Sequence, residues 1–388
     1  MAFAFYFAEG APIGFIWWAM PTLLRQHGIE IDIIGRFTAI LTLPWVFKFL
    51  WAPLIDVFRS KSFGYTGWIG LSQLLMCITL LPLVFIPLEG NLMLWGILLF
   101  FHSIFAATQD VSVDALVINV VASKEKGMLN GLMQAGMLLG RSLFGGGALL
   151  IASSSGLHIT IGLMILVIFS TLLLLNFIKE PQHVKAENKR VNEFQKNLIA
   201  SFKPKSTWYA IAFALTAAAA FEAVGAMAGP FMTDKKLSIE SIGFFFGLPV
   251  VLSMLGGGLL GGYFSDRMKR RLSTTLFLCG FVSMAITIAV VGYIFPDSHS
   301  PVWVSLFILM YFSIGMFTAT SYALFMDVSN PKLGATQFST FMAATNGCEA
   351  WVVWTAGILA ASYSYSLAFL IMSIVSLGSL LFLRKMNV

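Results

Sequence analysis

Long apolar stretches separated by short polar loops make up most of this chain. A helix needs about 20 apolar residues to cross the hydrocarbon core of a bilayer, and each stretch is roughly that long. Only 11% of the residues are charged, whereas a soluble domain is about a quarter charged. We therefore expect an all-α integral membrane protein. The pattern predicts twelve transmembrane helices, at residues 3–24, 36–56, 68–88, 92–121, 127–151, 155–178, 207–232, 241–264, 273–295, 302–326, 334–361 and 364–383.

The basic residues predict how the chain is oriented in the membrane. Of the 24 lysines and arginines, 18 lie in the even-numbered loops and the C-terminal tail and 4 in the odd-numbered loops. Loops rich in lysine and arginine remain in the cytoplasm, so we expect both termini there and the protein in the cell inner membrane. The net charge of +6 follows from this asymmetry and does not indicate nucleic-acid binding. Because the first span begins almost at once, we expect a few natural residues to precede Met1.

A hydrophilic stretch at residues 179–206 divides the chain in the middle. It contains seven lysines and arginines and separates six predicted spans from six. We predict an N-terminal six-helix bundle over residues 1–178, a cytoplasmic linker over residues 179–206 and a C-terminal six-helix bundle over residues 207–388.

The two halves also repeat one another. Pro21 and Pro230, near the ends of spans 1 and 7, are 209 residues apart in the sequence. Asp56 and Asp266, after spans 2 and 8, are 210 residues apart. An internal repeat of this kind is typical of secondary transporters, in which two bundles rock around a central site. We therefore expect transport by alternating access.

The loop after span 8 carries a known signature. Residues 262–271 read GYFSDRMKRR, a G-x-x-x-D-R-x-x-R-R pattern that resembles the signature loop of the major facilitator superfamily. The loop after span 2 is a degenerate copy in which Asp56 is followed by Arg59. The resemblance implies gating roles for Asp56, Arg59, Asp266 and Arg267.

Two further segments resemble the AmpG-like permeases, namely FKFLWAPLID at 47–56 and ATQDVSVDA at 107–115. This group includes muropeptide permeases, acetyl-CoA transporters and the RhtX/FptX siderophore-uptake permeases. The EGAPIGF segment at 9–15 looks closest to the siderophore branch. The resemblance implies a symporter, proton-coupled, that imports a bulky polar solute. A ferric siderophore is the leading candidate, which would make this an iron-transport protein.

Other functions stay open at this point. A muropeptide permease is the main alternative, and an exporter of drugs or siderophores is another, because a Gly-rich fifth span also occurs in drug antiporters. A polytopic membrane enzyme or a sensor is the remaining class. The sequence contains no G-x-x-x-x-G-K-[ST] loop for ATP phosphates, so a gradient must supply the energy. We expect no cofactor, no metal site, no enzymatic activity and a monomer.

Four charged residues inside spans 2, 4 and 5 are the strongest candidates for a functional site. A charge in the bilayer centre is costly and must find a partner. At 1.5 Å per residue, Lys48 and Asp114 match in depth, as do Arg141 and Asp110. We therefore predict a Lys48–Asp114 pair and an Arg141–Asp110 pair. They are either static braces or groups that exchange protons and partners during transport.

Further polar residues could line a substrate and proton pathway. Asn130, Gln134 and Arg141 fall on nearly one face of span 5, which predicts a cavity lining. Glu9 and Glu222 each lie near a glycine and upstream of a proline, in spans 1 and 7, and Glu349 lies in span 11. A buried glutamate can carry a proton or remain permanently protonated as a structural group.

Overall fold

The structure is a computed structural model of the 388-residue chain. It describes residues 1–58, 63–120, 126–178, 196, 204–329 and 334–386. The predicted linker at 179–206 therefore lies almost wholly outside the described residues, as do Arg59 and the loop residues around it.

All twelve predicted spans are helical, and no strand occurs in the described ranges. In the first half, α1 runs in three segments (Ala2–Gly14, a π-helical Phe15–Ala19 and Met20–Gln26), and α2 likewise (Ile31–Phe47, a 3₁₀ Lys48–Leu50 and Ala52–Val57). The next four helices are α3 (Tyr65–Leu80, with a 3₁₀ end at Leu81–Val84), α4 (Leu92–Val120), α5 (Lys126–Ser155) and α6 (Leu157–Leu174, with a 3₁₀ end at Leu175–Phe177).

The second half follows the same plan. Its helices are α7 (Lys205–Ala214 and Ala219–Asp234), α8 (Ile239–Gly247 and Pro249–Arg267), α9 (Arg270–Ile294), α10 (Ser300–Val328), α11 (Gly334–Ser362) and α12 (Tyr365–Gly378 and Leu380–Lys385). Ten of the helices in the described residues are long and apolar enough to cross a membrane. The other two predicted spans are α1, which is segmented, and α11, which is one continuous helix.

Helices α1 and α2 are interrupted close to prolines, which weaken the hydrogen bonding of the helix backbone. Proline has no N–H and disturbs the turn before it, and Pro12 precedes the π-helical segment of α1. Pro53 lies in the first turn of the last segment of α2, directly after the 3₁₀ turn at Lys48–Leu50. Helix α2 also begins at Ile31, five residues before the predicted start, because Asp32 and Arg36 pair one turn apart on it.

The chain folds into two compact units that follow the sequence halves with two exchanged segments. Unit 1 comprises residues 1–23, 40–187 and 238–247, and unit 2 comprises residues 24–39, 188–237 and 248–388. Residues 24–39 of the first half thus belong to unit 2, and residues 238–247 of the second half belong to unit 1.

Glycines set the closest helix contact in unit 1. Gly10 and Gly14 of α1 face Gly136 and Gly140 of α5, two G-x-x-x-G pairs. A Cβ added at any of the four would lie 2.2 to 2.4 Å from a backbone oxygen of the other helix. Small residues let helix backbones approach in this way inside a membrane. The contact holds α1, and with it Glu9, firmly against α5.

The exchanged segments pack in the same manner. In unit 1, Gly146 of α5 lies against Gly243 and Gly247 of α8, and the Ser142 hydroxyl donates to the Gly247 carbonyl. In unit 2, a Cβ on Gly35 of α2 would lie 2.7 Å from the Val353 carbonyl oxygen and 3.0 Å from the Gly357 Cα of α11. Each exchanged segment is therefore held by backbone contact with its host unit.

Candidate functional site

An ion pair joins two of the predicted site residues inside unit 1. The Lys48 ammonium group of α2 contacts the Asp110 carboxylate of α4, and the two side chains are 23% and 9% exposed. Two charges so well removed from water stabilise one another only in direct contact. The pairing predicted from depth is therefore wrong, because Lys48 lies on Asp110 and not on Asp114.

The local structure of α2 explains how Lys48 reaches Asp110. The helix changes to a 3₁₀ turn at Lys48–Leu50, and the next segment begins at Ala52 with Pro53 in its first turn. Just after this turn, the Trp51 indole donates to the Thr108 hydroxyl of α4 at 3.1 Å. The turn is thus fixed to α4 two residues before Asp110.

Asp114, one turn after Asp110, has a different partner. The Tyr6 hydroxyl of α1 donates to Asp114 Oδ1. Nearby, Gln109 Nε2 donates to the Phe5 carbonyl at 3.3 Å, which fixes α4 against α1. Asp114 itself is half-buried. The two acids of this stretch therefore occupy two environments, one ionic and one hydrogen-bonded.

Glu9 completes the cluster from α1. It is 1% exposed, and its Oε2 atom has no hydrogen-bond partner among the described residues. Its charge interacts with those of Asp110, Lys48, Asp114 and Arg141. The structure thus gathers five predicted site residues into one electrostatic cluster in unit 1.

Arg141 lies in the middle of α5 and does not pair with Asp110 as predicted. It forms no ion pair in the part of the chain that the structure describes, and its Nε atom is buried without a hydrogen-bond partner there. Gln134, two turns earlier, is exposed. The Asn130 side chain, the third member of the predicted stripe, lies outside the described side chains.

The two predicted glutamates of unit 2 lie near one another. Glu222 is in the first turn after the break in α7, and Glu349 is in α11. The charges of both act on the buried Cys348 thiol, and that of Glu222 also acts on Tyr311. The Trp351 indole donates to the Leu215 carbonyl at the break, at 2.9 Å. This arrangement is a second, smaller acidic site.

The signature loop of the second half is organised by Arg270, a residue of the motif for which no gating role was predicted. Arg270 Nε lies 2.7 Å from Asp327 Oδ2, and its Nη1 contacts Ser265 and, at 3.5 Å, Asp266. The Arg267 guanidinium lies 3.5 Å from the centre of the Tyr263 ring. The predicted counterparts in the first half cannot be compared, since Arg59 and the Asp56 side chain lie outside what the structure describes.

An ionic group at the C-terminal end of α7 was also not predicted from the sequence. Arg25 forms two hydrogen bonds with Asp234, at 2.7 and 3.0 Å, and the Tyr365 hydroxyl donates to Asp234 at 2.8 Å. All three belong to unit 2. Arg25 and Asp234 are 209 residues apart, the offset that also relates Pro21 to Pro230. The repeat itself therefore contained a signal for this pair, whereas nothing in the sequence singled out Tyr6.

Comparisons with known proteins agree with this picture. The family model described as "Major Facilitator Superfamily" matches residues 2–352. The "Putative transporter AmpG 1" of Rickettsia conorii is 25% identical over 94% of this chain and 92% of its own length. The "Anhydromuropeptide permease" of Escherichia coli is also 25% identical, over 94% of this chain and 74% of its own length.

The fold has a close structural counterpart as well. The crystal structure of a D-xylose-proton symporter matches with a TM-score of 0.82 and 13% identity, over 100% of this chain and 96% of the symporter. This likeness concerns the fold alone. Together with the family match, it confirms the predicted all-α fold of twelve membrane helices.

Proposed function

Because the chain belongs to the major facilitator superfamily, a family of membrane transporters, we propose that it imports a muropeptide-like glycopeptide together with protons. The AmpG-type relatives support this substrate class, and the Escherichia coli relative carries the name anhydromuropeptide permease. They favour the alternative over the siderophore, which has no support from these relatives. Import into the cytoplasm across the inner membrane, with both termini cytoplasmic, is part of the proposal.

The observation that carries the proton coupling is the charge balance in unit 1. The cluster contains three carboxylates, Glu9, Asp110 and Asp114, but two cations, Lys48 and Arg141. An uncompensated charge in a low-dielectric interior is costly, so a buried group neutralises by exchanging a proton. One proton on the three carboxylates balances the cluster. Such a cluster supports proton coupling, because carboxylates inside the membrane form the proton relays of transporters.

We assign the exchangeable proton to Asp114. Lys48 already compensates Asp110, and Glu9 is sealed from solvent at 1% exposure. Asp114 is half-buried and has a hydroxyl rather than a cation as its partner. It can therefore reach water and can gain a proton without breaking an ion pair. Asp110 then serves chiefly as the partner that holds Lys48 in place.

The experiment is uptake into proteoliposomes with the purified protein and a radiolabelled anhydromuropeptide. An inward proton gradient should drive accumulation, and a protonophore should abolish it. Asp114→Asn should abolish gradient-driven uptake while the protein remains folded in the membrane. Asp297→Asn, which changes an exposed loop carboxylate, is the matched control and should transport normally.

Three results would overturn the proposal. Uptake of a ferric siderophore but not of the anhydromuropeptide would show that the proposed substrate class is wrong. Normal gradient-driven uptake by Asp114→Asn would remove Asp114 from the proton path. Substrate accumulation that does not depend on the proton gradient would show that transport is not coupled to protons.

A further inference from the structure

Before the serines at its C-terminal end, the described exposed side chains of α5 lie on two opposite faces. Leu132, Leu139, Leu143 and Leu150 are 38% to 52% exposed. At about 100° per residue they fall within about 20° of one line along the helix, which is the lipid-facing side of a spanning segment. Gln134 and Arg141 lie about 180° away from this line. Gln134 is nevertheless exposed, so the face turned away from lipid is open to a polar space.

The Arg141 side chain on this face makes no direct contact with a carboxylate among the described residues, although its charge acts on Glu9. The other cation of the cluster, Lys48, is already held by Asp110. Arg141 forms no ion pair within the described residues, and its buried Nε atom has no hydrogen-bond partner there. Guanidinium groups are permanently charged and bind carboxylates through two parallel hydrogen bonds. Arg141 therefore contributes its charge to the cluster at a distance, while its guanidinium keeps hydrogen-bonding capacity for a carboxylate ligand.

The backbone under Arg141 is fixed. Gly14 of α1 approaches it so closely that an added Cβ would lie 2.4 Å from the Arg141 carbonyl oxygen and 2.6 Å from its Cα. Because this backbone is already fixed, only the side chain has to be ordered when Arg141 binds an anion. This rigidity suits a recognition residue.

We propose that Arg141 binds a carboxylate of the transported solute and that Gln134 contacts a polar group of the same molecule. The inference rests on the proposed function and names the feature of the solute that the carrier recognises. The two residues are seven positions apart, which corresponds to about 10 Å along the helix. The solute must therefore carry an acidic group and an amide or hydroxyl group about that far apart, as the peptide and sugar parts of a glycopeptide do.

The experiment compares two forms of one solute. The first is the radiolabelled anhydromuropeptide, and the second is the same compound with its peptide carboxyl groups converted to primary amides. The wild-type protein should show a KM about tenfold or more higher for the amide, because a charge-assisted hydrogen bond is worth about that factor or more. In Arg141→Gln this preference should fall towards one, because the variant has no guanidinium to bind the carboxylate.

Two further variants separate recognition from folding. Arg141→Lys keeps the charge but loses the bidentate geometry, and should retain part of the preference. Arg36→Gln is the matched control, because Arg36 is exposed and pairs with Asp32 on its own helix. It should keep the full preference. Thermal stabilisation of the detergent-purified variants by each solute reports binding without transport.

The outcomes distinguish this inference from the proposed function. If the wild-type protein transports neither form, the proposed function fails. If it transports both forms and Arg141→Gln and Arg141→Lys keep the full preference for the acid, Arg141 does not bind the carboxylate. If Arg141→Gln does not fold and Arg141→Lys loses uptake of the acid and the amide equally, the arginine serves the structure instead.

Discussion

The interiors of the two units use different chemistry. In unit 1, charged and hydroxyl-bearing side chains meet inside the bundle, with the Lys48–Asp110 ion pair and the Tyr6–Asp114 hydrogen bond at its centre. In unit 2, the described ion pairs that join different helices lie at helix ends, and the interior is aromatic. Its contacting rings are Phe213, Phe221, Phe231, Phe281, Phe307, Phe317, Phe325, Phe341 and Phe369.

The two kinds of interior should respond differently to substitution. These phenylalanine rings pack edge to face or tilted, with centroids 4.9 to 6.5 Å apart, and need no partner of opposite charge. Buried charges compensate one another. A substitution that removes one of them leaves the other buried without compensation, which is costly. Unit 1 should therefore respond sharply to single polar substitutions that unit 2 tolerates better. Four variants test this contrast.

Asp110→Asn should have the largest effect, because it leaves the Lys48 ammonium group without its carboxylate. Breaking a buried ion pair from one side costs about 3–5 kcal/mol. We expect low recovery of folded protein by size-exclusion chromatography and no uptake. The double variant Lys48→Met with Asp110→Leu should recover folding but not transport. Recovery of transport as well would show that the pair is only a brace.

Gly140→Ala should have the next largest effect, because the new Cβ would lie 2.3 Å from the Phe7 carbonyl oxygen of α1. Overpacking costs about 1–3 kcal/mol, so the melting temperature should fall. Gly162→Ala is the matched control in the same unit, since nothing lies within 4 Å of its Cβ position. Equal melting temperatures for the two variants would contradict the tight α1–α5 contact.

Tyr6→Phe should have a smaller effect on stability, because it removes one hydrogen bond and keeps the ring. Hydrogen bonds between membrane helices are worth about 0.6 kcal/mol on average and at most about 1.7. The larger change should appear in transport, as an altered pH dependence of uptake, since Asp114 loses its donor. An unchanged pH profile would argue against Asp114 as the proton carrier.

Asp234→Asn should have the smallest effect on stability, although it touches an ion pair and the Tyr365 hydroxyl. Arg25 and Asp234 are 26% and 29% exposed, and such pairs contribute about 0.2–1 kcal/mol. We expect a slight fall in melting temperature that disappears in high salt. A loss as large as that of Asp110→Asn would overturn the contrast between the two units.

Much of the site could be predicted residue by residue, but not its pairing. The depth argument matched Lys48 with Asp114 because it counted uniform α-helical rises. The 3₁₀ turn at Lys48–Leu50 departs from that rise, and the lysine stem spans about one helical turn. Because of both effects, the ammonium group lies at a different depth from the Lys48 backbone. It therefore contacts Asp110 and not Asp114. Depth along a helix also says nothing about rotation between helices, so the predicted Arg141–Asp110 pair was wrong as well.

The sequence alone determined the apolar lengths, and these determined the twelve helices, because a bilayer leaves no other way to satisfy so many backbone groups. It also determined that Asp110 and Asp114 must face a polar interior, since charge is excluded from lipid. Tertiary structure decided which helices touch. The facing glycines of α1 and α5 bring Glu9 into the charge cluster, and the choice of partners left Arg141 unpaired. Such choices depend on the distance and rotation between helices far apart in the chain, which no local pattern of residues records.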